Sequence, residues 1–180
     1  MKATGIVRRI DELGRVVIPK EIRRTLRIRE SDPLEIYTGR EGEVILKKYS
    51  PMGDLTQSAE KMVQVLSRLT GTLAVITDRD QVIAAAGTGK KEVEGKPVTT
   101  ALEAAMEKRL QVINEPGESK QIKITDSSQV LTTGQIIYTI ISTSDVIGCI
   151  VLQGKEHQQL KEADKKLAQA AAEFLGGYLE

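Results

Sequence analysis

No tryptophan occurs among the 180 residues, Phe174 is the one phenylalanine, and aromatics make up 3% of the chain. A core must therefore be assembled from Ile, Val, Leu and Ala, and aromatic platforms that stack single-stranded bases are not expected. One cysteine, Cys149, rules out an intrachain disulfide. With His157 as the only histidine, neither a zinc site nor a Cys–His pair has enough ligands unless the two act together, so no metal and no cofactor is expected. Cys149 lies in the apolar run 146–152, where packing is its expected role, and His157 lies in a polar helix start, where solvation is. Apolar runs long enough for a membrane helix, about 20 residues, are also missing, since 135–142 already carries Gln, Tyr and Thr. The opening Met-Lys-Ala-Thr-Gly has no apolar h-region of a secretory signal, which makes the cytoplasm the expected compartment.

What remains is an ordinary globular balance of 40% hydrophobic and 28% charged residues. The charge is unevenly placed. Nine basic residues (Lys2, Arg8, Arg9, Arg15, Lys20, Arg23, Arg24, Arg27 and Arg29) stand against Asp11, Glu12 and Glu21, a net +6 over the first 29 residues. The remainder carries −5 in a chain whose formal charge is +1. A polyanionic partner would thus meet one end only.

Turn and periodicity signals predict strands at 4–10 and 15–18 about a turn at 11–14, then a helix over 20–27 that Pro19 would open. A hairpin of 34–38 and 43–47 follows. Such a unit of about 50 residues, with no disulfide or metal, buries too little surface to stand alone and should oligomerise, most economically by interleaving strands from two copies. Residues 51–55 read as a linker. Beyond it, Leu55, Ala59, Met62, Val63, Leu66 and Leu69 predict a helix ending at Gly71. Strands are expected at 73–77 and 82–86, a helix over 99–111, a turn at 115–118, a short strand at 121–125, and a strong β-branched pair at 135–143 and 145–153. Over 158–179, Leu160, Ala163, Leu167, Ala170 and Phe174 form a coiled-coil-like seam that could face its own sheet or a partner subunit.

The chemistry concentrates in Arg8, Arg9, Arg15, Arg23, Arg24 and Arg27, because arginine grips phosphate, or the O6 and N7 of guanine, with a planar fork. Few Asn or Gln residues accompany them, which favours phosphate contact and shape readout over adenine reading. Strand alternation would point Arg8 and Arg9 to opposite faces. The segment Thr4-Gly5-Ile6-Val7-Arg8-Arg9-Ile10-Asp11-Glu12-Leu13-Gly14-Arg15-Val16-Val17-Ile18-Pro19, followed by Arg23-Arg24-Thr25-Leu26, resembles the AbrB-type transition-state regulators. That resemblance covers about the first quarter of the chain. It implies a swapped-hairpin dimer presenting a basic face to double-stranded DNA, with Arg8, Arg15, Arg23 and Arg24 as contact residues and Lys2 and Arg9 beside them. Together with the second domain it implies a nucleoid-associated regulator of sporulation genes, activating or repressing. Where that family often has glycine before the Asp-Pro-Leu-Glu-Ile strand, this chain has Ser31, and a positive φ there would be strained.

The order of elements in the second half resembles a GAF domain, without the Asn-Lys-Phe-Asp-Glu motif of cyclic-nucleotide binders. The resemblance implies either a small-molecule ligand or a purely dimerising role, and the final helices would extend a dimer to a tetramer. Gly87-Thr88-Gly89-Lys90-Lys91 is not a Walker loop, because Ala84 and Lys91 stand where glycine and a hydroxyl residue are needed; a loop near a sensor pocket is the better reading. No nucleophile is paired with a base, so catalysis is not expected.

The fold class is therefore α+β: an N-terminal swapped-hairpin domain at 1–50, a linker at 51–55 and a GAF-like α/β domain at 56–180. The alternative is an antitoxin-like protein that binds DNA and neutralises a protein partner. It is disfavoured because a foldable domain, not a disordered acidic tail, follows the hairpins.

Overall fold

A computed structural model describes residues 5–109, 111–114, 121–128, 134–156 and 158–178. Lys2, Leu110, His157 and the turn expected at 115–118 lie outside the described residues. The chain divides into two compact units, Met1–Tyr49 and Ser50–Glu180.

In the first unit the helix α1 (Lys20–Thr25) is followed by the hairpin β1 (Leu34–Thr38) and β2 (Val44–Lys48), antiparallel with Leu34 opposite Lys48 and Thr38 opposite Val44. The helix stops two residues before its predicted end. Arg27 adopts φ +52, which no L-residue helix continues through. The stop is a Schellman motif built on arginine instead of glycine: Ile28 N–H donates to the Arg23 carbonyl at 2.8 Å, and Arg27 N–H to the Arg24 carbonyl at 3.3 Å. Ser31 takes φ +66, so the left-handed turn suspected from the sequence exists, with a serine bearing it. The Asp32 carboxylate braces it, accepting from Arg29 N–H at 2.8 Å and pairing with Lys48 Nζ at 3.0 Å. The same Nζ donates to the Arg27 carbonyl at 2.9 Å, which ties the end of α1 to β2.

Of the strands expected at 4–10 and 15–18, the described residues 5–10 and 15–18 form none within one chain. Only the turn between them closes, through Asp11 N–H to the Arg15 carbonyl and Gly14 N–H to the Asp11 carbonyl, both 3.0 Å. A strand exists only where its backbone groups meet a neighbour, and one copy supplies none beyond the turn. Pro19 alone is buried among the described residues of this unit.

The second unit is a three-layer sandwich. Met52, in the 3-10 turn Pro51–Gly53 within the segment read as a linker, is wholly buried. Helix α2 (Thr56–Thr70) ends at Gly71, whose φ of +69 favours glycine. Next come β3 (Leu73–Thr77), β4 (Val82–Ala86), the short α3 (Lys90–Val93), α4 (Thr100–Glu107), β5 (Val112–Asn114), β6 (Gln135–Ser142), β7 (Asp145–Gln153) and α5 (Glu162–Gly177). The five strands form one antiparallel sheet in the order β4-β3-β7-β6-β5.

Strand alternation sorts the core into two layers. Ala74, Ile76, Ile136, Ile140, Ile150 and Leu152 pack with α2 and α5. Val75, Ile137, Cys149 and Val151 pack on the opposite face with Val93, Leu102, Met106 and Ile124. Two glycines permit the closest approaches. A Cβ at Gly148 would strike the Thr77 backbone, and one at Gly176 the Ile141 carbonyl, so β3 and β7, and α5 and β6, sit nearer than any side chain allows.

Three local readings are corrected. Helix α4 ends at Glu107, short of the predicted 111, just ahead of Arg109 with φ +51. Residues 121–125 form no strand, because the Gln135 amide takes the place of a neighbouring strand: it accepts from Ile122 N–H at 3.0 Å and donates to the Ile122 carbonyl at 2.8 Å. Finally, α3 and β5 were not foreseen, being too short for a periodic signal.

Cys149 is wholly buried beside the Thr77 hydroxyl, 3.3 Å from Sγ, and burial pushes its thiol up to about 12 against the opposing pull of that hydrogen bond. The native thiol should therefore stay protonated and silent toward a water-soluble disulfide reagent at pH 8, with one equivalent released only in denaturant. Rapid native labelling would show that the β3–β7 layer opens.

Candidate nucleic-acid interface

Arg8 and Arg9 precede the Asp11–Arg15 turn, Arg15 closes it, and Arg23 and Arg24 occupy the last turn of α1. Cations there are favoured by the partial negative charge at a helix C-terminus. All five side chains are exposed. Arg8, Arg9, Arg23 and Arg24 have no side-chain hydrogen bond or ion pair among the described residues. Adjacent helix positions are about 100° apart, so Arg23 and Arg24 fan over neighbouring directions instead of stacking on one.

Arg15 differs from these four. Its Nε donates to Asp11 Oδ2 at 2.8 Å, while Asp11 Oδ1 accepts from Leu13 N–H at 3.0 Å and Arg15 N–H at 2.8 Å. The Arg15 backbone N–H first, and its guanidinium second, hold the Asp11 carboxyl below the usual carboxylate range. Sequence reasoning took Asp11 only as a turn former; the i, i+4 spacing of Asp11 and Arg15 was the available sign of more. Lys2 falls outside the described residues. Arg27 and Arg29 serve the turn after α1, where the former supplies the left-handed residue and the carbonyl that Lys48 holds.

Around this basic set lie apolar side chains in contact with water: Val7 is 88% exposed, Leu13 74% and Val17 72%, with Ile10, Ile36 and Val44 similarly open.

In the second unit a cavity of about 300 Å³ opens between the ends of β3 and β7, the start of α3 and residues 121–128. Leu73, Val93, Ile122 and Ile124 give it apolar walls; Thr88, Gly89, Glu92, Gln121, Lys123, Ser128 and Gln153 give it polar ones. Thr88 and Gly89 come from the glycine-rich stretch that mimics a phosphate loop. Gln121 Nε2 is buried with no hydrogen-bond partner among the described residues. Gln153 Oε1 accepts from Gln135 Nε2 at 2.8 Å, which ties one wall to the sheet. Among the described residues, no three His, Cys, Asp or Glu side chains are grouped to hold a metal ion, and no helix is long and apolar enough to cross a membrane.

The seam read along the final helix divides, with Leu160 and Leu167 half-buried against the core of its own unit and the rest exposed. Helix α5 buries Ala168, Ala171, Ala172, Leu175 and Gly176, whereas Ala163, Ala170 and Phe174 of the seam are exposed and Leu167 is half-buried. Leu69 of α2, expected inside, is also exposed.

Residues 54–180 match the family described as stage V sporulation protein T C-terminal, transcription factor, and residues 7–54 the family described as antidote-toxin recognition MazE, bacterial antitoxin. Over 180 residues the chain is 46% identical to stage V sporulation protein T of Bacillus subtilis (strain 168), covering 100% of this chain and 99% of that protein. Transition state regulatory protein AbrB of the same organism is 69% identical over 51 residues, 28% of this chain and 52% of AbrB. Among solved structures, the GAF domain of an Acinetobacter phosphoenolpyruvate-protein phosphotransferase superposes with a TM-score of 0.58 at 14% identity, over 74% of this chain and 84% of that one. This last likeness is one of fold.

Proposed function

The chain belongs to the stage V sporulation protein T family of transcription factors, and from that premise we propose that it regulates sporulation genes by gripping double-stranded DNA with the arginines of its first unit. The observation that carries this reading is the set of exposed arginines, four of them without a partner among the described residues, on one turn and one helix end. Arg8, Arg15, Arg23 and Arg24 are the contacts, with Arg9 and Lys2 at the flank. The protein resides with the nucleoid in the cytoplasm and works by binding, not by catalysis.

Two copies interleave their first units. Support comes from a unit that buries Pro19 alone among its described residues and leaves Val7, Leu13 and Val17 in water. Pairing would supply the missing strand partners and cover that apolar surface. The outward seam on α5, with exposed Leu69 and Val65 of α2, supports a second contact that joins dimers into a tetramer. The cavity of the second unit, at the small end of ligand sites, supports modulation by a small molecule that satisfies Gln121. The match of residues 7–54 to bacterial antitoxins favours a second reading, neutralisation of a protein partner, but the chain continues into a folded sensor-like unit.

The test is a salt titration of the full chain on duplex DNA. Eight phosphate contacts per dimer would give log affinity against log salt a slope of about −7. A flat salt response, or no binding at micromolar protein, overturns the proposal.

A further inference from the structure

We infer that Asp11 is a positioning residue for DNA binding: its carboxylate holds Arg15 by Nε, so that Nη1 and Nη2 are presented together as a fork to one phosphate or guanine edge. The inference rests on the reading of Arg15 as a DNA contact.

Both oxygens of Asp11 are committed. Oδ1 accepts two backbone N–H groups of the turn, from Leu13 and Arg15, and Oδ2 accepts Arg15 Nε at 2.8 Å. The carboxylate is thereby fixed to the backbone on one side and to the guanidinium on the other. Gly14 at φ +75 closes the turn beneath it. Nη1 and Nη2 of Arg15 make no hydrogen bond or ion pair among the described residues, and the side chain is 70% exposed. The bond therefore orients the guanidinium and leaves its bidentate edge open.

Stability does not account for this pair. An exposed ion pair of this kind contributes little to folding, because solvent screens it and two side chains lose freedom. Electrostatics alone argues against it: a carboxylate on a basic surface repels the phosphates which that surface would attract. Oδ1 closes the turn, and what the further bond from Oδ2 to Nε can return is the rotamer entropy that a free arginine surrenders on binding. Among the described residues, Arg8, Arg9, Arg23 and Arg24 have no such acid. Charge counting and orientation thus predict opposite signs for removing the carboxylate.

The experiment measures affinity of the full chain for a duplex by fluorescence anisotropy, at several salt concentrations, for wild type, Asp11→Asn, Arg15→Ala and the double variant. Asparagine keeps an acceptor for the two turn N–H groups while losing the ionic bond. Asp11→Asn is expected to bind at least about five-fold more weakly with its salt slope unchanged, as expected from lost orientation of one side chain in each copy of the dimer. Asp11→Ser, which also retains a side-chain acceptor for the turn, should match it and stands in if the asparagine variant misfolds. Arg15→Ala should weaken binding and make the slope shallower, and adding Asp11→Asn to it should cause no further loss. If Arg15→Ala binds normally, Arg15 is not a contact and the premise fails. If Arg15→Ala weakens binding but Asp11→Asn binds as well as wild type or more tightly, the positioning role alone is overturned. Equal loss from Asp11→Asn with and without Arg15 would also overturn it, tracing the effect to the turn itself.

Discussion

Alanine at Arg23 or at Arg24 is expected to weaken duplex binding at least about thirty-fold while leaving the protein folded and associated. Each residue recurs in the second copy of a dimer, and a lost arginine contact costs about 1–3 kcal/mol, so two losses compound. The salt slope should fall by about 2, because two fewer phosphates are neutralised. Stability should hardly move, since both side chains are exposed without partners among the described residues and only the weak attraction to the helix C-terminus is lost. Gel shifts and anisotropy on each variant, beside thermal melts, check this. Unchanged affinity in both would remove α1 from the interface.

Glutamate at Phe174 is expected to split the full assembly from four copies to two. The ring is 55% exposed and stacks loosely on Tyr178 at 6.0 Å between centroids, so its removal leaves the core of its own unit intact. Buried in a contact between helices, a glutamate would be an unpaired charge, and such a group costs several kcal/mol. Sedimentation velocity reads the outcome directly. An unchanged mass would assign the α5 seam to solvent, and a drop to monomer would show that the first units do not hold a dimer. Since the substitution leaves every arginine in place, per-dimer DNA affinity should persist.

Much of the architecture was legible locally. The β-branched runs of β6 and β7, the Gly71 stop after α2 and the turn at Asp11–Gly14 all follow from residue types whose backbone preferences act over a few positions. The site was legible in kind, since a cluster of arginines in a chain otherwise net negative announces a polyanion. It was less legible in detail. Asp11 looked like a turn residue because its second oxygen acts through a side-chain geometry that spacing alone only hints at. Arg27 looked like one more cation, yet it ends α1 by taking a left-handed conformation that composition would have assigned to glycine.

The sequence by itself determined an aliphatic core, a basic end, two units and the periods of nearly every long element, because those depend on side-chain type and short-range backbone preference. Only the tertiary structure decided phase and partnership. Along α5 the period left open whether Leu167 and Phe174 face the sheet or a partner; the structure turns Ala168, Ala171, Ala172, Leu175 and Gly176 inward, and at Gly176 the helix meets the Ile141 carbonyl of β6 too closely for a Cβ. The strands expected at 4–10 and 15–18 remain unmade among the described residues of one chain for a related reason: a period says that a segment can pair, and only a neighbour with free backbone groups makes it do so.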